Sequence, residues 1–294
     1  MASFVLSAFA DEADAALAGQ AAAVLSNGIH QIEMRGVNGK SVAGLTDREA
    51  LEAKALLDAQ GIGISSMGSP FGKYPVDQPF APQLVAFERG LKLCQLLGAK
   101  RMRVFSFFIP EGQDASEYRG EVLHRLSRML DLAEKAGVSL AHENEKGIYG
   151  DTDGRCLDLM EQFGDRMGFI FDPANFIQCG VEPWEAFEKL RKYIAYVHVK
   201  DAIRGEGAVV PAGMGDGNLP RILSVLALGA DDMVLSVEPH LKVFSGLSSL
   251  QSEELKHRYH YPDKLAAFGA AVSALKELLR KLNFVEGGNG IWTR

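Results

Sequence analysis

Eight short apolar runs, rich in β-branched and aromatic residues, recur along this chain, and each is followed by a longer stretch of helical period. That alternation restricts the fold more than any other feature, because a strand–helix repeat buries both faces of a parallel sheet, open or closed. The predicted strands are 4–10, 30–34, 62–67, 101–107, 138–143, 167–172, 195–200 and 234–238. Helices are predicted near 13–26, 47–59, 82–97, 116–136, 154–163, 183–191, 218–228 and 262–282. Asn27-Gly28, Gln60-Gly61, Leu97-Gly98 and Ala136-Gly137 follow helices, where glycine accepts the left-handed conformation that closes the last turn.

An open doubly wound sheet usually carries a glycine-rich turn directly after its first strand. Here that position reads Phe9-Ala10-Asp11-Glu12, so the closed alternative is expected. At 294 residues, the chain suits a single (β/α)8 TIM barrel, a fold of typically about 250 residues. The barrel is expected over residues 1–283. Residues 284–294 are read as a C-terminal extension, either lying on the surface or meeting another subunit of a homo-oligomer. The longest inter-element segments, 68–81, 201–217 and 239–261, all follow strands and therefore belong to the C-terminal rim, where barrels build binding sites. Within the last of these, residues 241–260 are read as a lid, with Phe244 and Tyr259 covering the substrate or a partner subunit.

Composition narrows the partners. A net charge of -7 and a pI of about 5.6 disfavour contact with phosphate backbones, so no nucleic-acid partner is expected. Cys94, Cys156 and Cys179 form no CxxC pair, which points away from a disulfide framework or thiolate zinc site and toward a reduced, cytoplasmic setting. No apolar run approaches the roughly 20 residues of a membrane span. The run 4–10 lacks a preceding basic residue and meets Asp11, Glu12 and Asp14 at once, so it reads as a buried strand rather than a leader.

The chemistry is concentrated where the last four strands end. Strand five ends in Glu143, strand six in Asp172, strand seven carries His198, and strand eight ends in Glu238. Any one of these alone is ordinarily a helix cap or an ion-pair partner. Four on consecutive strands converge around a barrel axis, where three unpaired carboxylates would repel and raise one another's pKa. One divalent cation removes that cost, and three oxygens with one nitrogen suit Mn²⁺, then Mg²⁺, Co²⁺ or Zn²⁺. Lys200 is predicted to share the His198 face and to neutralise an oxyanion or a substrate carboxylate, or else to pair with Asp172 or Glu145. Glu33 and Arg35 at the end of strand two are read as contacts for a hydroxyl or phosphate. His142 and His240, neighbours of the two glutamates, are read as supporting groups near the substrate. The Gly213–Gly217 run lacks the Gly-Lys-Ser/Thr ending of a phosphate loop and is taken as a lid edge.

The segments Ile32-Glu33-Met34-Arg35, His142-Glu143-Asn144-Glu145, Phe171-Asp172-Pro173-Ala174-Asn175, Val197-His198-Val199-Lys200-Asp201, Gly213-Met-Gly-Asp-Gly217 and Val237-Glu238-Pro239 resemble the xylose isomerase-like barrel superfamily. The likeness is to its sugar isomerase/epimerase branch, which includes ketose 3-epimerases and inosose dehydratases. That resemblance implies metal ligation by Glu143, Asp172, His198 and Glu238, with the two glutamates as an acid/base pair moving a proton through an enediolate. It also implies a substrate contact at Arg204, six residues after the metal histidine. The family's histidine three residues after the metal aspartate is Asn175 here, a departure that leaves the sugar open.

The expected partner is a small sugar or sugar derivative, and the expected reaction isomerisation or epimerisation. The same groups would serve a dehydratase or lyase acting on a keto-sugar or inosose. A third alternative, a hydrolase like the apurinic endonucleases, needs more ligands and a basic face. A fourth is a sugar-binding barrel without catalysis.

Overall fold

Strand pairing follows the chain order all the way round. The computed structural model describes residues 3–242 and 259–294. The barrel strands are β1 (Phe4–Ala8), β2 (Gln31–Met34), β3 (Gly63–Met67), β4 (Arg101–Val104), β5 (Ser139–Glu143), β6 (Met167–Phe171), β7 (Ile194–Val199) and β8 (Met233–Val237). Each pairs in parallel with the next, and β8 returns to β1 with Phe4 opposite Met233 and Ala8 opposite Val237. The result is a closed eight-stranded parallel barrel ringed by helices, a single-domain (β/α)8 fold.

The helices are α1 (Leu17–Ser26), α2 (Asp47–Ala59), α3 (Phe80–Leu97), α4 (Ala115–Ala136), α5 (Asp153–Phe163), α6 (Pro173–Gln178), α7 (Pro183–Leu190), α8 (Leu219–Leu226) and α9 (Lys264–Lys281). Local chemistry sets their ends. Thr46 and Glu49 form a reciprocal capping box at the start of α2, satisfying two otherwise orphaned donors. Gly98 and Gly137 close α3 and α4 with φ of 71° and 67°, as the sequence predicts. Among the described residues, no helix is long and apolar enough to cross a membrane.

Several features differ from expectation. The first strand stops at Ala8 because Ala10–Glu12 turn into a short 3-10 helix, and α1 begins only at Leu17. The fourth strand stops at Val104, since Phe105 and Phe107 donate instead to the carbonyls of Phe71 and Gly72 in the loop after β3. The six-residue α6 lies where a plain loop was expected. The C-terminal tail, read as an extension beyond the barrel, is built into its wall. Ile291 and Trp292 pair antiparallel with Val5 and Phe4. Since β8 covers β1 over its whole length, the tail takes the edge that β2 covers only at Ala8. Burial of Trp292 and the tilted packing of Phe284 against Phe4 fill that gap. Of the lid read over 241–260, residues 243–258 lie outside the described residues, while Tyr259 is exposed.

Candidate metal centre

Alternation along the strands decides which side chains meet. Ala141, Ile170 and Tyr196 pack together inside the barrel. Side chains two residues further on share that inward face, which places Glu143, Asp172 and His198 one layer above. Glu238 joins them from just past β8, and all four are buried. One ligand atom from each lies within 4.8 Å of the others, so the predicted set comes together. The opposite parity disposes of His142. Its imidazole points outward, 2.9 Å from Ser106 Oγ and stacked on Phe169, so it stands behind the wall rather than near a substrate. Burial holds it neutral, pushing its pKa down to about 3.

Each candidate ligand is fixed by its surroundings. Asp172 is the N-cap of α6: its Oδ1 accepts from Asn175 N at 3.0 Å, and Pro173 occupies the first helical turn, where a missing N–H costs nothing. Asn144 brackets the same residue, donating to its carbonyl at 2.9 Å and accepting from its N–H at 3.0 Å. His198 Nδ1 lies 2.9 Å from Glu143 Oε1, and its Nε2 lies 3.1 Å from Glu33 Oε2. Glu33, predicted as a substrate contact, is instead fully enclosed behind His198. Asn175 donates to Asn144 O at 2.9 Å and to Glu143 Oε1 at 3.3 Å, while its own Oδ1 has no hydrogen-bond partner.

Three cations thread between the carboxylates. Lys200 donates to Glu238 Oε2 at 2.8 Å and sits 2.9 Å from Asp172 Oδ2, yet off the angle of a hydrogen bond, so that oxygen accepts none. Arg103 reaches Glu143 Oε2 at 3.0 Å and also donates to the carbonyls of Ser69 and Gly68. Arg35 spans Asp11, Glu12 and Glu238. Sequence reasoning missed Arg103, Glu12 and Asp11 as parts of the site. The signal for Arg103 was present as Arg-Met-Arg in a strand otherwise apolar, where alternation turns both arginines inward.

The charges do not balance without protons or a metal. Six carboxylates (Asp11, Glu12, Glu33, Glu143, Asp172, Glu238) face three permanent cations (Arg35, Arg103, Lys200). Three groups accordingly hold protons near or above neutrality. Burial raises Glu12 to about 8 and Asp172 to about 7. Burial would lower His198, but Glu143 and Glu33 on its two nitrogens raise it to about 10. Two of these three are predicted ligands, so a divalent ion would replace two protons and leave the net charge unchanged. With the oxygen-rich donor set and the vacant lone pairs of Asp172 Oδ2, the residues fit such an ion. Conversely, burial would raise Glu143, but His198 and Arg103 bring it down to about 2. Glu238 is driven well below the usual carboxylate range by Lys200 and the imidazoles against the opposing effect of burial.

Glu12, Glu238 and His240 form a second cluster of the right spacing. There Arg35 lies 3.0 Å from Glu12 and 3.1 Å from Glu238, and Arg103 lies 3.9 Å from Glu238, so the position already carries guanidinium charge. His240 is held at φ 43°, with its N–H donated to Glu12 Oε2 at 2.7 Å. Arg204 stands apart on the rim, partly exposed and paired with Glu182, beside a cleft shared with Gly213, Gly215, Asp216 and Asn218. The glycine run there explains itself. Asp201 accepts from the N–H groups of Ala202, Gly213, Gly215 and Gly217 at 2.9–3.0 Å, so the anion that such a nest would bind is the chain's own carboxylate.

The profile of the xylose isomerase-like TIM barrel family matches residues 21–257. The rhizopine catabolism protein MocC of Rhizobium meliloti is 28% identical over 231 residues, covering 68% of this chain and 69% of that one. Among solved structures, the IOLI protein with a binding zinc atom superposes with a TM-score of 0.73 at 17% identity, covering 95% and 99% of the two chains. L-ribulose 3-epimerase superposes with a TM-score of 0.70 at 18% identity, covering 96% of each.

Proposed function

The chain belongs to the xylose isomerase-like TIM barrel family, and from that premise we propose that it is a divalent-metal-dependent isomerase or epimerase of a sugar or keto-sugar. The observation that carries the proposal is the convergence of Glu143, Asp172, His198 and Glu238 on one buried point. There Asp172 Oδ2 lacks a hydrogen bond, and proton-bearing ligands stand where a cation would balance the charge. Mn²⁺ is the first candidate, with Mg²⁺, Co²⁺ and Zn²⁺ compatible with the donors.

A divalent ion bound there supplies Lewis-acid stabilisation of the negative charge that develops when a proton leaves the carbon beside a carbonyl. Glu143 and Glu238 are both ionised at neutral pH and so are ready to accept that proton. Carboxylates held this low are weak bases, so acidifying the substrate has to contribute much of the rate, alongside the roughly 10²–10⁴-fold typical of a placed base. The two glutamates come from strands three apart around the barrel, so in this reading they approach the substrate from two sides, as removal and return of a proton on different faces requires. Asn175 Oδ1, buried and without a donor, is a ready acceptor for a substrate hydroxyl. Lys200 carries counter-charge between Asp172 and Glu238, and Arg204 at the rim is proposed to meet the substrate's outer end.

A three-metal hydrolase is disfavoured by the guanidinium charge that fills the Glu12–Glu238–His240 cluster. The deciding experiment incubates the protein with Mn²⁺ and a panel of ketoses, inososes and 3-keto-glycosides in D₂O. Solvent deuterium appearing at the carbon beside the carbonyl supports the proposal. Turnover without deuterium indicates a hydride shift, and absence of turnover on every class removes the isomerase reading.

A further inference from the structure

We propose that Glu33 is the positioning residue of the metal site, fixing through His198 Nε2 which imidazole nitrogen faces the cluster. The inference rests on Glu143, Asp172, His198 and Glu238 being the ligands. The two nitrogens of His198 have different surroundings. Nδ1 lies on the cluster side, 2.9 Å from Glu143 Oε1, whereas Nε2 lies 3.1 Å from Glu33 Oε2 on the far side. An imidazole that gives one lone pair to a metal must donate the other nitrogen's proton, and a carboxylate acceptor both orients the ring and raises its basicity.

Glu33 is built for that task. It is fully buried, and among the described residues it makes no ion pair with lysine or arginine within 4.0 Å, its ion-pair contact being His198. A buried carboxylate is costly unless it is paired and hydrogen-bonded, and here His198 is the partner within ion-pair distance, with Arg103 adding charge from further away. Its second oxygen is fixed as well: Tyr196 OH lies 2.8 Å from Glu33 Oε1 and 3.3 Å from Ser66 Oγ. Tyr196 stands edge-on to His198 at 5.4 Å, and Phe9 does the same at 5.1 Å. Arg101 lies over the Tyr196 ring at 5.0 Å. The imidazole is thus gripped by two ring edges and one anchored carboxylate, and Tyr196 holds that carboxylate from below.

The test is a Mn²⁺ titration of the full-length chain, reading free aquo-Mn²⁺ by electron paramagnetic resonance, for the wild type, Glu33→Gln, Glu33→Ala and Tyr196→Phe. Removing such a partner typically weakens metal affinity by about 10–100-fold, and Glu33→Ala is expected in that range. Glu33→Gln should fall between Ala and wild type, because its amide oxygen still accepts the Nε2 proton without carrying charge. Tyr196→Phe should lose a few-fold. A merely structural role would lower the urea midpoint and leave the Mn²⁺ affinity untouched. Binding within about twofold of wild type in both Glu33 variants, a small change beside those expectations, would overturn the assignment of Glu33 alone. A wild type that binds no Mn²⁺ would overturn the ligand set and this inference with it.

Discussion

Replacing Lys200 by methionine isolates the electrostatics of the site. The ammonium is buried between Asp172 Oδ2 at 2.9 Å and Glu238 Oε2 at 2.8 Å. Methionine keeps the stem and removes the charge, leaving two carboxylates facing each other in the protein interior. Breaking a buried pair by removing one partner costs about 3–5 kcal/mol. With an unfolding entropy of about 2.1 cal/mol/K per residue, that loss lowers the melting temperature of a chain this long by roughly 5–8 °C. The assay is thermal unfolding in EDTA, with Lys54→Met as a control, since its pair with Asp58 lies on the surface and is worth at most about 0.5 kcal/mol. In Mn²⁺ the Lys200→Met variant should recover more stability than the wild type does, because a cation takes over the neutralisation; saturation at a hundred times Kd adds about 2.7 kcal/mol. A shift below about 2 °C in EDTA, corresponding to little more than 1 kcal/mol, would refute the placement of the ammonium between these carboxylates.

Three further perturbations probe other parts of the molecule. His142 is held neutral, at about 3 against 6.5 for a free imidazole, so its contribution is complete above pH 6.5 and is lost as pH falls toward 3, where only the unfolded chain gains the proton. Urea midpoints of wild type and His142→Gln should therefore converge on acidification, by up to about 1.4 kcal/mol per pH unit; parallel curves would contradict this. The buried Cys94 thiol is pushed up to about 12, as is that of Cys179, and Cys156 also lies well above 9. Iodoacetamide at pH 8 should label Cys94 and Cys156, the two buried ones, only after unfolding, and their rapid native labelling would show the packing to be wrong. An alanine Cβ at Gly215 would stand 2.4 Å from Asp201 Oδ1 and 2.5 Å from the Ala202 carbonyl. Gly215→Ala should cost about 1–3 kcal/mol, whereas Gly154→Ala, with open space inside α5, should gain about 0.5–1 kcal/mol; urea midpoints measure both.

What the chain made legible followed from periodicity and from position at strand ends. The eight strands could be placed because apolar runs alternate with helical stretches, several of them closed by glycine, and position at strand ends then brought Glu143, Asp172, His198 and Glu238 together. What was not legible depends on partners distant in the sequence. Arg103 and Glu143 are 40 residues apart, and alternation along the strand turns Arg103 inward without naming the carboxylate that meets it. Asp11 and Glu12 looked like acidic residues after a strand, because only the 3-10 turn at Ala10–Glu12 brings them back over the barrel mouth to Arg35. Glu33 lies one residue before the end of its strand and so reads as a rim contact, but inward parity sets it beneath the imidazole. The short helix α6 was announced by Asp172-Pro173, a capping residue followed by proline, and its six residues are too few to show a period. The tail strand is shorter still, and nothing in Ile-Trp-Thr states that its partner is Phe4, at the other end of the chain.

The central claim is that Glu143, Asp172, His198 and Glu238 hold one divalent ion. Anomalous scattering from a crystal equilibrated with Mn²⁺ tests it most directly. The account predicts one strong peak within bonding distance of an oxygen of Glu143, Asp172 and Glu238 and of His198 Nδ1. A peak at any other position, or none at Mn²⁺ concentrations that saturate ordinary carboxylate sites, would contradict it.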